Sequence, residues 1–225
     1  MTEYNYSENW PSWPGYVWSR DQKIVQRVLP SHGNGFVSVK VPPEVEPISL
    51  DEARGFARVD GTSEDTLIEL LITAAREAVE GYLMKALIEQ TLTLSLDWWP
   101  EPLTLPRPPL ISVVEVRTVG EDSSIVVYST DSYFVRTLAP ARGQIVVRTG
   151  CTPPINTDRT HGGYEVEYKV GYGKDPSDVP ASVRHGILML VTHLYENRVP
   201  TISTGIVSRV PGLAEVLGMQ RRMRI

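Results

Sequence analysis

The stretch SLDEARGFARVDGTSEDTLIELLITAAREAVEGYL, at residues 49–83, decides the fold. It opens on the pattern of a capping box, in which the Ser49 hydroxyl accepts a hydrogen bond from the backbone of Glu52 and the Glu52 carboxylate reaches back. This pattern predicts a short helix that runs to about Val59. Gly61 is predicted to end this helix, because glycine readily adopts the left-handed conformation that follows a last helical turn.

A second, longer helix is predicted to follow, with Thr62 or Ser63 as its cap. Its apolar residues recur at helical spacing over about 20 residues, which corresponds to roughly 30 Å of helix. They define the face that we expect to be buried: Leu67, Leu70, Leu71, Ala74, Ala75, Ala78, Val79, Tyr82 and Leu83. Arg76 and Glu80 fall outside this stripe, so we expect both on the wet face.

From Glu89 onward the period of the apolar residues changes from helical to two, which is typical of half-buried strands. Five or six short strands with regular turns indicate a small antiparallel sheet or sandwich. The proline-rich stretch PEPLTLPRPPL suits an edge or a crossing segment. The predicted strands lie in QTLTLSLDWW, ISVVEVRTV, SSIVVYS, SYFVRT, GQIVVRT and GYEVEYKVGYG.

A third helix is predicted to begin at Pro180, because proline is suited to a first helical turn. Its stripe consists of Val183, Ile187, Leu190, Val191 and Leu194. Neither helical segment can bury its stripe alone, so the third helix is predicted to pack against the second. The predicted fold class is therefore α+β: a small α-helical bundle with an inserted antiparallel β-sheet or sandwich, and with extended N- and C-terminal arms.

Four regions follow from this order of elements. An extended, irregular N-terminal arm is predicted at 1–45, and a C-terminal tail at 199–225. The helical domain is expected to combine 46–88 with 178–198, and the inserted β-rich domain spans 89–177. A short helix is predicted within the tail, around residues 213–218.

Composition narrows the classes of function. The chain has 225 residues and a net charge of -5. A protein that coats nucleic acid usually carries a surplus of basic residues, which this chain lacks. No apolar run is long enough to span a membrane, the N-terminus does not resemble a signal peptide, and the single cysteine excludes an intramolecular disulfide. The cytoplasm is the expected compartment.

The chain offers few candidates for chemistry. His185 and His193 share a face of the third helix, but the i, i+4 histidine pair and further ligand of a typical zinc site are missing. Cys151 and His161 lie on one loop without an orienting third group. No catalytic residue, metal site or cofactor site is therefore predicted.

Trp98 and Trp99 allow two interpretations. Beside proline-rich sequence, they could form a platform for a glycan or a peptide, so a stand-alone β-rich binding module is the alternative function. The competing interpretation is a buried pair that closes the sheet, and it is the one that the residues favour.

Both arms carry candidate contact residues. Trp10, Trp13 and Trp18 are predicted to dock either on the chain's own body or at an interface with a neighbouring subunit, since disordered segments are usually poor in aromatic residues. The tail combines apolar and basic residues outside the predicted core. Its candidate partner-binding residues are Leu213, Val216, Leu217, Met219, Arg221, Arg222 and Arg224.

Three ordered pieces of the sequence resemble the head–tail connector (adaptor) proteins of long-tailed phages and gene transfer agents. The first piece runs from EPISLDEARGFARVDG through AAREAVEGYL to the strand that ends in DWWP, and LPRPPLISVVEV follows it. The second piece is VEYKVGYGKDPSDVPASVRHGILMLVTHLYENR, and the third is VPGLAEVLGMQRRMRI. The first 44 residues and the loop from Cys151 to Gly163 are longer than the resemblance leads one to expect.

The resemblance implies a structural protein of the virion neck that is not an enzyme. It implies a ring, usually of twelve copies, beneath the portal protein, which extends the channel for double-stranded DNA without reading its sequence. It further implies that the ring presents a platform to a head-closure (stopper) or tail-completion protein. The tail residues above would bind the portal.

Overall fold

The computed structural model describes residues 16–18, 24–28, 35–138, 142–156, 159–197 and 212–218. The strands are β1 (Tyr16–Trp18), β2 (Ile24–Val28), β3 (Gly35–Val41), β4 (Gln90–Leu96), β5 (Leu103–Thr104), β6 (Leu110–Val119), β7 (Ile125–Val127), β8 (Tyr133–Leu138), β9 (Arg142–Val147) and β10 (Tyr164–Val170). The α-helices are α1 (Leu50–Ala57), α2 (Asp65–Leu83), α3 (Ala181–Glu196) and α4 (Leu213–Gly218).

The strands form two antiparallel sheets. A seven-stranded sheet has the order β1-β2-β3-β4-β10-β6-β7, and a three-stranded sheet has the order β5-β9-β8. Neighbouring strands pair antiparallel throughout the described part of both sheets. Helices and antiparallel sheets in one chain confirm the predicted α+β class.

The start of α1 confirms the predicted capping box. The backbone N–H of Glu52 donates to the Ser49 hydroxyl over 3.2 Å, and the backbone N–H of Ser49 donates to the Glu52 carboxylate over 2.8 Å. The end of α1 differs from the prediction, because the left-handed residue that caps the helix is Arg58, with φ at 55°, and Gly61, with φ at 82°, lies three residues further on. The predicted cap of α2 is also wrong: Glu64 precedes its first turn and makes no side-chain cap hydrogen bond.

The predicted buried face of α2 is displaced by one position around the helix. Leu70 is 64% exposed and Ala74 is exposed as well, whereas Arg76 and Glu80, expected on the wet face, are buried. The buried apolar residues are Ile68, Ile72, Ala75, Val79 and Leu83. The shift arises because a buried ion pair occupies part of the inward face, and a pattern of apolar residues alone does not reveal such a pair.

The described residues form two apolar cores, one among the helices and one among the strands. The first core packs α3 against α2, as predicted, and also includes residues of α1 and α4. The second core lies between the strands and centres on Tyr168, Leu92 and Leu94, which are at most 1% exposed. The exact boundaries between the regions stay a prediction.

The density of proline and glycine predicts an irregular arm at 1–45. The structure differs, because this region contains strands. β3 pairs with β4 from Gly35↔Leu96 to Val41↔Thr91, and β2 and β1 extend the same sheet outward. The segment GFVSVKV alternates with period two, and Val37 on its inward face is 4% exposed. Part of the N-terminal arm therefore belongs to the chain's own sheet.

Candidate assembly surfaces

A buried polar network joins α2 to the first strand of the β-rich region. The Arg76 guanidinium donates to Glu80 over 3.2 Å and to Glu46 over 2.8 Å. Glu80 also accepts from the backbone N–H of Leu87 over 2.8 Å and from the Gln90 amide over 3.1 Å. Burial raises the pKa of Glu80, while the Arg76 charge and the Leu87 N–H act against that rise. These contacts fix the angle at which the chain leaves the helix and enters the sheet.

The segment Gly171–Tyr172–Gly173 makes the second connection at this junction. The Tyr172 N–H donates to the Leu87 carbonyl over 3.0 Å, and the Glu89 N–H donates to the Gly173 carbonyl over 2.8 Å. Gly171 has φ at 130°, and a Cβ there would lie 2.6 Å from the backbone of Ile88. The chain crosses the backbone of Ile88 closely at Gly171, which only glycine allows at this position.

The residues that carried the resemblance thus have structural roles where the structure describes them. Ser49 and Glu52 start a helix, Arg76 and Glu80 join two regions, and Gly171 permits a crossing. In the described residues, no group of three or more His, Cys, Asp or Glu side chains is arranged to hold a metal ion. No helix in this part of the chain is both long and apolar enough to cross a bilayer.

The side chains considered for chemistry lie in separate, simple environments. Cys151 is exposed, and His161, which is largely exposed, lies 3.5 Å from the Asp97 carboxylate. His185 makes an edge contact with the Phe56 ring at 5.7 Å, and His193 lies next to Asn197 at the end of α3. None of these contacts forms a nucleophile with a base and an orienting group.

The two adjacent tryptophans point into different surroundings. Trp98 is 48% exposed, whereas Trp99 packs against the β-rich core and lies 6.2 Å from the Tyr164 ring. The prediction of a buried pair is therefore wrong for Trp98, and Trp99 is partly buried. A two-ring platform for a glycan is not formed by this pair.

The predicted partner-binding residues of the tail fall into two groups. Leu213 and Leu217 are 0% exposed and pack against α3, where Gly186 leaves room for them. Their burial corrects the expectation that this part of the tail lies outside the core, so in this conformation they are not available to a partner. Val216 is partly buried. The remaining candidates, Met219, Arg221, Arg222 and Arg224, lie outside the described residues.

Only one of the three predicted interface tryptophans, Trp18, is among the residues that the structure describes. Trp10 and Trp13 lie outside the described residues. Trp18 ends β1, which pairs with β2 through Trp18↔Ile24. Its place in an intramolecular strand pair fits docking on the chain's own body, and the role of all three residues at a subunit interface stays a prediction.

One exposed apolar surface was not predicted. Ile125, Val126 and Val127 of β7 are 57%, 64% and 59% exposed, at the end of the seven-stranded sheet. The sequence SSIVVYS predicted the strand correctly, but strand periodicity does not tell a central strand from an edge strand. In a half-buried strand, polar residues alternate with apolar ones. The three consecutive apolar residues of β7 break this alternation, and that was the available signal.

The comparisons with known proteins point to one family and one kind of particle. Residues 47–118 match the family described as phage gp6-like head-tail connector protein. Over this stretch, about a third of the chain, the sequence is similar to that connector family. The match includes α1, α2, the Arg76–Glu80 network and the strands from β4 to most of β6. A comparison with curated protein sequences finds no match for the chain.

Solved structures of gene transfer agent (GTA) particles share the fold. A chain in the neck of an empty GTA particle, computed with C6 symmetry, is 21% identical, with a TM-score of 0.71 over 84% of this chain and 96% of that chain. A chain in the virion of a native GTA particle is 23% identical, with a TM-score of 0.69 and the same coverage. A chain in the neck of a native particle, computed with C12 symmetry, is 22% identical, with a TM-score of 0.62 over 89% of this chain and 96% of that chain.

Proposed function

We propose that the protein is a structural head–tail connector in the neck of a tailed phage or phage-like particle, where copies of it form a ring beneath the portal. The match of residues 47–118 to the connector family carries this proposal. It is supported by a fold that extends over 96% of chains in GTA necks, which were computed with sixfold and twelvefold symmetry. A ring of twelve copies is the expected form.

The roles of the matched residues agree with a structural function. Arg76 and Glu80 form an ion pair, with side-chain exposures of 9% and 5%. Glu80 also accepts a hydrogen bond from the backbone of Leu87. A catalytic carboxylate needs access to a substrate, whereas Glu80 is enclosed by Arg76, Leu87 and Gln90. The junction instead holds two regions at a fixed angle, as a subunit of a symmetric ring requires.

The charge of the chain suits a channel through which DNA moves. With 22 basic and 27 acidic residues, the chain has no general surplus of cations to hold phosphates. Strong non-specific binding requires the release of many counterions from DNA, and a mildly acidic ring would release few. We therefore propose that double-stranded DNA passes the ring without sequence-specific contacts.

The portal is the proposed partner on the head side. Burial of Leu213 and Leu217 anchors α4 on α3. Met219, Arg221, Arg222 and Arg224 follow directly, and they are the proposed portal-binding residues, together with Val216 at the edge of α4. A head-closure or tail-completion protein is the proposed partner on the opposite side.

Truncation after Gly218 tests this arrangement, because it removes the proposed contacts and keeps the two anchoring leucines. The truncated chain is expected to unfold at the same urea concentration as the full chain and to fail to attach to portal-bearing, DNA-filled heads. A matched pair of full-length variants replaces the three arginines either with lysine or with glutamate. The glutamate variant should lose attachment and the lysine variant should keep most of it, whereas attachment of the truncated chain would refute the portal assignment.

A further inference from the structure

The outer edge of β7 is exposed and apolar. β7 pairs on its inner side with β6, from Arg117↔Val127 to Val119↔Ile125. It is the last strand of its sheet, and in the described residues no strand pairs with its outer side. Successive side chains of a strand point to opposite faces, and all three side chains are more than half exposed. In the described residues, both faces of β7 and the backbone groups on its outer side are therefore exposed.

Two devices that often protect an edge strand, charged side chains and proline, are missing here. Natural edges are blocked by charged side chains, proline or bulges, because an open edge pairs with other chains. The segment 124–128, with the sequence SIVVY, contains none of the charged residues and no proline. The edge strand β8 of the smaller sheet differs, since it carries Arg136, and the Arg148 guanidinium lies over the Phe134 ring at 5.8 Å.

Both ends of β7 are held by hydrogen bonds, and such ordering lowers the entropy that is lost when a partner binds. At the hairpin turn, the Gly120 N–H donates to the Ser124 carbonyl over 2.8 Å, and the Ser124 N–H donates to the Asp122 carboxylate over 2.9 Å. At the other end, the Tyr128 N–H donates to the Val116 carbonyl over 2.8 Å. The Tyr128 ring stacks on that of Tyr133 at 5.9 Å.

We propose that the β7 edge binds the neighbouring copy of this chain in the ring, by accepting an extended segment of that copy alongside Ile125–Val127. The proposal rests on the proposed function, which places copies side by side around an axis. A ring joins two unlike surfaces of successive subunits, whereas β7 paired with β7 would give a twofold dimer that cannot continue. Strand addition supplies backbone hydrogen bonds, and the exposed valines and isoleucine supply apolar burial.

A charge at the centre of the edge tests the proposal. Val126→Asp changes the side chain with the greatest exposure in β7, so the isolated chain should unfold at the same urea concentration as wild type. Ring formation on portal-bearing heads should fall by about tenfold or more, because a carboxylate must then be desolvated at the contact. Ile155→Asp is the matched control, since Ile155 is 65% exposed in a loop. Wild-type ring formation by Val126→Asp, or an equal loss in the control, overturns the proposal.

Photo-crosslinking identifies what covers the edge. A benzoylphenylalanine at position 126 in assembled particles should give a product with the mass of two copies of this chain. Crosslinks to the portal or to another neck protein, or no chain-to-chain product in assembled rings, would overturn the proposal. If wild-type protein forms no ring on heads, the proposed function fails; if rings form and position 126 is not at their interface, only the edge assignment fails.

Discussion

The Arg76 guanidinium lies 3.2 Å from the Glu80 carboxylate, one turn along α2, and both side chains are buried. Glu80→Ala should lower the free energy of unfolding by about 1–3 kcal/mol, because it removes one of the two close carboxylate partners of the buried Arg76 cation, the other being Glu46 at 2.8 Å. It also removes the acceptor of the Leu87 N–H. Urea denaturation followed by circular dichroism measures the loss.

Glu77→Ala is the matched control, since Glu77 lies 3.7 Å from the same guanidinium but is 55% exposed. An exposed ion pair contributes at most about 1 kcal/mol. Equal losses for the two variants would show that burial of Glu80 does not govern stability at this junction.

Stability should depend on pH through Glu52. Hydrogen bonds from Ser49 and the nearby Arg184 charge lower the pKa of this carboxyl below its usual value of 4.5. Because the folded pKa is the lower one, the stabilisation is fully present above pH 4.5 and is lost as the pH falls through the folded pKa.

Glu52→Gln tests this dependence, because glutamine keeps the capping geometry and removes the charge. Wild type should exceed the variant by up to about 1 kcal/mol at pH 7, and the difference should shrink at pH 3, as measured by urea denaturation at both values. A difference that is unchanged or larger in acid would contradict the assigned direction.

Gly171→Ala should destabilise the junction more than an alanine at an open glycine with positive φ. The new Cβ would lie 2.6 Å from the Ile88 backbone, which cannot move aside as a flexible side chain can. Gly150 has φ at 89° with no atom within 4 Å of an added Cβ, so Gly150→Ala carries the backbone strain alone. The difference in unfolding free energy between the variants should be roughly 2 kcal/mol or more, and similar values would argue against a steric crossing.

Much of the fold follows from local signals in the sequence. The capping box at Ser49, the packing of α3 on α2 and the strands from β4 to β10 were predictable, because each depends on periodicity or on residues close in the chain. The burial of Arg76 and Glu80 was not predictable from the sequence. Their partners are Glu46, Leu87 and Gln90, and only the folded structure brings them together. Charged residues on a helix are assigned to water unless a partner is known.

The N-terminal strands and the tail show a similar limit. Pairing of β3 with β4 joins residues about 55 positions apart, from Gly35↔Leu96 to Val41↔Thr91, and no local pattern encodes that register. Burial of Leu213 and Leu217 depends on Gly186, whose missing side chain opens the site on α3. The openness of β7 likewise depends on sheet order.

Gly186→Ala should release α4 without weakening the rest of the helical core. The added Cβ would lie 2.8 Å from Leu217 and 3.2 Å from Leu213, while alanine favours helix α3 by about 1 kcal/mol. Hydrogen exchange of 212–218 should therefore accelerate while the urea midpoint stays level or rises. Gly55→Ala in α1, where nothing lies within 4 Å, should leave exchange of α4 unchanged. Unaltered exchange in Gly186→Ala would show that the leucines are not held at this position.

Electron cryomicroscopy of the purified protein mixed with portal-bearing, DNA-filled heads tests the connector function most directly. Reconstruction without imposed symmetry should show a closed ring on the portal axis, with twelve copies of this fold around a DNA-sized channel. Heads that carry no added density, or single copies attached away from the axis, would contradict the connector function.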